Sequence, residues 1–173
     1  MSRKILLASL WWILSFPDLG LAGPPFFTDD PQPVDYKHQE AYVFSTLDKT
    51  NDSKTVQGPA VEYNLGAAPN LQLHVVAPFT YSAIQDETRH YGFGDMEFGA
   101  KYRFISESDY IPQAGVFPLV ELTTGDPNRN LGNGKTWYKL PLWLQKSWGS
   151  WTSYGGGGYA LNRASRMRNY GYG

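Results

Sequence analysis

The side chains that could do chemistry in this sequence are three histidines, two groups of oxygen ligands and one glycine–lysine–threonine tripeptide. The histidines lie far apart on different expected elements, and they lack the His-Glu-x-x-His spacing of a zinc site; they are His38, His74 and His90. The oxygen ligands that could chelate calcium are Asp29-Asp30 and Asp126 with Asn128 and Asn130. Flexible, solvated loops explain both groups better, so we predict no metal site.

Motifs for nucleophiles and nucleotides are also missing from the sequence. Gly134-Lys135-Thr136 ends like a phosphate-binding loop, but Arg129 stands where that motif requires its first glycine. The glycine run 155–158 lacks the spacing of a dinucleotide site and indicates a bend or tight packing within a strand. There is no Gly-x-Ser-x-Gly elbow and no cysteine. We therefore predict that the protein is not an enzyme and has no catalytic residues and no cofactor.

Composition narrows the class of protein further. The chain has 173 residues, which suits a single domain. A formal net charge of −1 argues against a nucleic-acid partner. The hydrophobic content of 42% excludes a disordered chain. The mean hydropathy of −0.41 argues against a protein built of several membrane-spanning helices.

The N-terminus has the layout of a secretory signal peptide over residues 1–22. Arg3 and Lys4 supply the positive region, and residues 5–16 form an apolar run that is too short to span a bilayer as a helix. Small residues before position 23 fit cleavage after Ala22. We therefore expect the remainder of the chain to be exported.

The exported part divides into a short lead-in and a long region of strands. Residues 23–37 are rich in proline and aspartate, which predicts an extended N-terminal segment. Over residues 38–173, apolar and polar residues alternate repeatedly, which is typical of β-strands. We predict seven strands, at about residues 38–47, 59–66, 70–82, 92–104, 113–124, 136–147 and 152–161.

The lengths of the strands and of their connections favour a membrane barrel. Expected connections at 48–57, 83–91 and 125–135 are long and polar, those at 67–69 and 148–151 are short, and 105–112 is intermediate. Transmembrane barrels show this alternation of long loops and short turns. Several strands are also as long as a tilted bilayer-crossing strand, which needs about 9–11 residues. The sequence thus predicts an all-β fold, an antiparallel meander belonging to a transmembrane outer-membrane β-barrel.

The two faces of the expected strands indicate which side meets lipid and which lines a lumen. Aromatic residues gather near strand ends, as in the girdles at a membrane–water interface. Strand parity places charged residues of both signs on the polar face, and a register error of one residue would reverse the assignment. The lumen-facing candidates are Glu62, His74, Asp95, Glu97, Lys101, Arg103 and Glu121. Such a mixed-sign lumen predicts weak ion selectivity.

Two other kinds of protein share parts of this pattern. A periplasmic or secreted lipocalin-like barrel would have the same leader and alternation, but its apolar face would point inward to a ligand. A structural barrel with a plugged lumen would anchor in the envelope and transport nothing. Solubility without detergent identifies the first alternative, and single-channel conductance separates the second from a porin.

Sequence blocks along nearly the whole exported chain resemble one family of bacterial outer-membrane proteins, the MetA-pathway-of-phenol-degradation family of transporters. The blocks lie at 23–31, 33–36, 64–73, 91–95, 101–104, 117–122, 125–126, 131–135 and 140–148. The resemblance implies an outer-membrane β-barrel that passes hydrophobic or aromatic compounds, but it carries over no transport residue.

Taken together, the residues and the resemblance predict a channel for small hydrophobic or aromatic solutes that works by passive diffusion in the outer membrane. Its expected partners are outer-membrane lipid and a small-molecule solute. Single-chain bacterial barrels have an even number of strands, eight or more, and members of this family are longer than this chain. We therefore expect the seven strands to be the N-terminal part of an incomplete barrel.

Overall fold

A computed structural model describes residues 30–162 and 169–172 of the chain. The expected signal peptide, residues 1–22, lies outside the described residues, as does the first part of the Pro/Asp-rich segment up to Asp29. No helix among the described residues is long and apolar enough to cross a membrane.

The regular structure of the described residues is β-strand throughout, apart from one short 3-10 helix at Pro127–Arg129. The strands are β1 (Gln39–Lys49), β2 (Ser53–Ala68), β3 (Leu71–Ile84), β4 (His90–Phe93), β5 (Met96–Ile105), β6 (Gln113–Val116), β7 (Leu119–Leu122), β8 (Trp137–Trp148), β9 (Trp151–Asn162) and β10 (Asn169–Tyr172).

All ten strands belong to one antiparallel meander sheet. The order across the sheet is β1-β2-β3-β5-β6-β8-β9-β10, with β4 paired to β3, and β7 paired to both β5 and β8. Thus β4–β5 and β6–β7 each occupy a single place in the sheet as an interrupted strand. The predicted all-β antiparallel meander is confirmed. In the described residues, β1 and β10 form the two edges and do not pair with each other, so the sheet is open.

The interruptions occur where the sequence disfavours regular pairing. Gly94 and Asp95 separate β4 from β5, and Phe117 and Pro118 separate β6 from β7. Proline has no backbone N–H to donate to a neighbouring strand, so the ladder breaks at Pro118. The Pro118 carbonyl still accepts a hydrogen bond from the Ala100 N–H, at 3.1 Å, and β7 then resumes the pairing with β5.

Connections at the two ends of the sheet differ in length, although one is shorter than expected. We call the end that carries the connections 85–89 and 123–136 the loop end, and the opposite end the turn end. The predicted long loop at 48–57 is wrong, because β2 already begins at Ser53 and only residues 50–52 form the turn. The Thr50 side chain accepts a hydrogen bond from the Ser53 N–H at 3.0 Å and stabilises this tight reversal.

The two faces of the sheet differ in character. We call the face that carries the buried polar side chains the inner face, and the opposite face the outer face. The buried polar residues are Asn64, Gln72, His74, Thr80, Ser82, Asp95, Lys101 and Gln113. Exposed apolar residues lie at outer-face positions, among them Val43, Leu47, Val61, Tyr63, Leu73, Phe98, Tyr102, Leu122, Leu140, Leu142, Leu144 and Tyr159. This distribution is the reverse of that in a water-soluble β-sandwich.

Candidate functional site

Directly paired strand positions bring the polar residues of the inner face together. Glu62 pairs with Val76, Val76 with Glu97, and Glu97 with Glu121, so three carboxylates share one row across the sheet. The next row runs through Asn64, His74, Gly99, Leu119 and Lys139. Paired positions share a face, so these acids, the histidine and the lysine form one cluster.

His74 lies in a chain of side-chain hydrogen bonds, and the contacts of its neighbours fix which amide atoms donate and which accept. The Val34 N–H donates to Gln72 Oε1 at 2.9 Å, and Gln72 Nε2 donates to Asn64 Oδ1 at 2.8 Å. Asn64 Nδ2 donates to a Glu62 oxygen at 2.7 Å, which leaves Asn64 Oδ1 to accept from His74 Nδ1, also at 2.7 Å. Because an amide oxygen only accepts, this geometry places a proton on His74 Nδ1.

The second ring nitrogen of His74 lies among charged groups. Nε2 is 3.5 Å from Glu97 Oε1, and it makes no hydrogen bond with the residues that the structure describes. Lys139 Nζ lies 3.5 Å from the other Glu97 oxygen, and the Phe117 ring meets the imidazole edge to face at 5.2 Å. The His74 side chain is 7% exposed, so its environment is a buried polar cluster rather than bulk water.

Asp95 anchors the long connection 123–136 to the loop end of the inner face. Its two carboxylate oxygens accept hydrogen bonds from the Gly125 N–H at 2.9 Å and the Asn133 N–H at 2.5 Å. The Asn133 side chain also donates to Glu121 at 2.6 Å. Leu131, in the same connection, is buried at 4% exposure. This connection therefore folds over the inner face instead of extending away from the sheet.

Basic groups occupy the inner face toward the turn end. Lys101 Nζ lies 3.9 Å from Asp30 Oδ1 and 5.0 Å from the centre of the Phe117 ring. Arg103 donates to Asn70 Oδ1 through two nitrogens, at 2.6 and 3.1 Å. Asp95, Glu97 and Glu121 lie nearer the loop end than these two basic side chains do.

A separate ion pair lies in the connection 106–112 at the turn end. Lys146 Nζ donates to Glu107 Oε1 at 2.9 Å, and the Ser147 N–H donates to the same oxygen at 2.8 Å. The hydrogen bond from Lys146, followed by that from Ser147, lowers the pKa of the Glu107 carboxyl below its ordinary value. The carboxylate form of Glu107 thus fastens this connection to the end of β8.

All seven residues that strand parity selected are at least partly buried, but they form separate groups rather than one. Glu62, His74, Glu97 and Glu121 belong to the central cluster; Asp95 holds the connection 123–136; Lys101 and Arg103 hold groups near the turn end. Sequence reasoning missed Lys139, because the alternation in β8 is interrupted by Pro141 and Trp143. It also missed that Asn64 and Gln72 link His74 to the N-terminal segment.

The oxygen ligands around Asp126 and the glycine run 155–158 have structural roles. The Asp126 side chain accepts from the Asn128 N–H and caps the 3-10 helix. No three His, Asp or Glu side chains among residues 30–162 and 169–172 are arranged to hold a metal ion. In the glycine run, a Cβ on Gly156 would overlap the Leu142 carbonyl oxygen and lie 2.5 Å from the Trp143 ring. The expected tight packing is therefore found at Gly156.

No family model matches the chain, and no curated protein matches it.

Proposed function

We propose that the chain forms part of an outer-membrane β-barrel whose inner face lines a passage for small, hydrophobic or aromatic solutes. The observation that carries the proposal is the reversed distribution of side chains, with apolar residues exposed and polar residues covered. A bilayer stabilises this arrangement, because lipid tails contact the apolar side chains and the polar side chains remain inside the barrel. Passage would be passive diffusion without a cofactor, and the protein would not be an enzyme.

Aromatic residues near both ends of the strands support a membrane position. Tyr91 and Phe93, 66% and 74% exposed, lie toward the loop end. Trp148 and Trp151, 60% and 80% exposed, lie at the turn end. Amphipathic rings concentrate at the two membrane–water interfaces, where one edge contacts lipid and the other meets headgroups and water. The exposed aromatic residues at the two ends of the strands therefore support two aromatic girdles, one at each membrane–water interface.

The same distribution disfavours a lipocalin-like binding barrel. Such a barrel needs apolar side chains toward its ligand and polar side chains toward water. Here the buried side chains include, together with Phe117 and Trp143, polar ones such as His74, whereas leucines on the opposite face are exposed. A passage lined by polar side chains fits this inner face better than a pocket for an apolar ligand.

The proposal requires further strands in the membrane. Among the described residues, the edges β1 and β10 leave N–H and C=O groups without sheet partners, and each such group in lipid costs several kcal/mol. A second copy of the chain or a longer form of it would pair with these edges. The preference for hydrophobic or aromatic solutes rests on the resemblance to the phenol-degradation transporters described above.

A structural barrel without transport is the second candidate, because protein segments cover the inner face near both ends. The connection 123–136 covers the loop end through Asp95, and the N-terminal segment covers the turn end through Gln72. In such a barrel these coverings would be permanent. Conductance of the membrane-inserted protein separates the two candidates.

The test is expression of the full chain in a Gram-negative host, followed by fractionation and reconstitution. We expect the protein in the outer-membrane fraction and a change of gel mobility between unboiled and boiled samples, since closed barrels resist detergent until heated. Purified protein should then give discrete conductance steps in planar bilayers. Heat-modifiable protein without conductance favours the structural barrel. Protein that is soluble without detergent contradicts membrane insertion.

A further inference from the structure

The N-terminal residues Asp30–His38, which we call the strap, run across the inner face instead of along a strand. Successive strap residues contact successive strands of the sheet. The contacts are Pro31 with Gly115 of β6, Gln32 with Arg103 of β5, Val34 with Gln72 of β3, and Asp35 and Lys37 with Gly66 of β2. The strap therefore crosses four neighbouring places in the sheet, near its turn end.

Two glycines of the sheet allow the strap backbone to approach the strands closely. A Cβ on Gly66 would overlap the Asp35 carbonyl, and its three nearest atoms all belong to the strap. A Cβ on Gly115 would lie 3.0 Å from the Pro31 Cβ. Glycine allows another backbone to approach a strand closely. Pro31 is the largest described side chain that is fully buried, and Val34 is 9% exposed, so the strap is packed against the inner face.

The polar contacts of the strap include the ion pair between Asp30 and Lys101, and several of the others use the strap backbone. The Val34 N–H donates to Gln72 at 2.9 Å, the Lys37 N–H donates to the Gly66 carbonyl at 2.8 Å, and the Gly66 N–H donates to the His38 carbonyl at 3.0 Å. Arg103 Nη1 donates to the Gln32 side chain at 2.7 Å. A segment held in this way can leave the sheet without breaking any strand pairing.

We infer that the strap, rather than the width of the sheet, sets the narrowest section of the passage, and that its displacement opens the turn end. This inference rests on the proposed function. The strap lies on the same face as His74, Lys101 and Arg103, and it reaches the central cluster through the hydrogen bond from Val34 to Gln72. A solute that moves along the inner face past Arg103 must cross the line of the strap.

The sequence offers a clean reporter and a matched pair of substitutions. Because the chain has no cysteine, Val34→Cys introduces a single thiol on the buried side of the strap. Gly66→Ala adds a methyl group that overlaps strap atoms, whereas Gly155→Ala adds the same group at a strand glycine with nothing within 4 Å. Gln32→Met removes the contact with Arg103 and leaves the sheet unaltered.

The experiment measures thiol labelling at position 34 and single-channel conductance on the same membrane-inserted proteins. We expect Val34→Cys to be protected alone and with Gly155→Ala. Labelling should rise about tenfold or more with Gly66→Ala, which corresponds to a change of about 1.4 kcal/mol in the opening equilibrium. Conductance should rise in the same variant. Gln32→Met should also raise the labelling and the conductance, but by a smaller factor. If Gly66→Ala loses its heat-modifiable fold, the Gln32→Met variant alone tests the inference.

Each other result overturns the inference. Rapid labelling in the Val34→Cys parent means that the strap is not seated. Protection that persists in the folded Gly66→Ala or Gln32→Met protein means that these contacts do not hold it. Labelling that rises while a measurable conductance stays constant means that the strap is not the constriction. If no variant conducts even after position 34 is exposed, the proposed function itself fails, and this result differs from the preceding ones.

Discussion

Leu142 lies in the middle of β8 on the outer face, and its substitution by arginine tests what that face contacts. The side chain is 46% exposed, and its strand neighbours are Val116 and Gly157. If water surrounds this face, Leu142→Arg replaces one exposed side chain by another and changes the free energy of unfolding by only about ±0.5 kcal/mol. If lipid surrounds it, a guanidinium group is placed near the bilayer midplane.

The expected loss of stability depends on how deep the substituted residue lies in the bilayer. An arginine on the lipid face of a barrel costs about 2–4 kcal/mol at the midplane and about 0–1 kcal/mol near the interface. Tyr138 lies four residues away on the same strand and face, near the loop end. At about 3.4 Å per residue and a tilt of about 40°, this spacing corresponds to about 10 Å of depth. Leu142→Arg should therefore destabilise the protein by about 2 kcal/mol more than Tyr138→Arg.

Denaturant unfolding in lipid vesicles, followed by tryptophan fluorescence, measures both variants against the parent. The four tryptophans outside the expected signal peptide, at positions 137, 143, 148 and 151, supply the signal. Equal effects at the two positions, or a change of less than about 0.5 kcal/mol for Leu142→Arg, would refute the reasoning, because no apolar solvent would then be needed at the centre of the strand.

Three further outcomes are expected. Reversing the charges of Lys101 and Arg103 together should shift the reversal potential in planar bilayers toward cation selectivity, and an unchanged potential removes these side chains from the passage. The hydrogen bonds to Glu107 lower its pKa in the folded state, so its contribution to stability is present above the ordinary glutamate pKa of about 4.3 and is lost as the pH falls through the lowered value. The difference in unfolding free energy between the parent and Glu107→Gln should accordingly be constant near neutrality and shrink below about pH 4; a difference that grows in acid contradicts the assignment. Gly156→Ala should destabilise the protein by about 1–3 kcal/mol because its methyl group overlaps β8, whereas Gly155→Ala should stay within about 0.5 kcal/mol; equal unfolding midpoints for the two variants would show that this packing is not tight.

The strands were predictable because their signal is local. Alternation over Leu71–Tyr81 is visible in consecutive residues, and it places Gln72 and His74 on one face whatever the rest of the chain does. The turn at Thr50 was less predictable, because polar residues 53–57 lack alternation and become strand only through pairing with β1 and β3.

The contacts that complete the site could not be predicted, because they join segments that are distant in the sequence. Nothing near Asp95 signals that the N–H groups of Gly125 and Asn133, some thirty or more residues later, bind its carboxylate. Similarly, a proline-rich segment indicates extended backbone but not where it lies. Only the glycines at positions 66 and 115 hint at a close approach, and glycines also occur in strands at bulges and tight bends.

If the chain is an outer-membrane protein, as proposed, the alternation between the two faces has a consequence for its export. An exported protein must pass through the translocation machinery of the inner membrane, which retains segments of about 20 consecutive apolar residues. Along β3 and β8, side chains such as His74 and Lys139 interrupt the apolar residues, so these strands lack a continuous apolar run while still unfolded. The apolar band forms only when pairing aligns the outer-face residues of many strands. In the proposed outer-membrane barrel, the chain would therefore cross the inner membrane as a largely polar unfolded segment, and its apolar surface would form only on folding in the outer membrane.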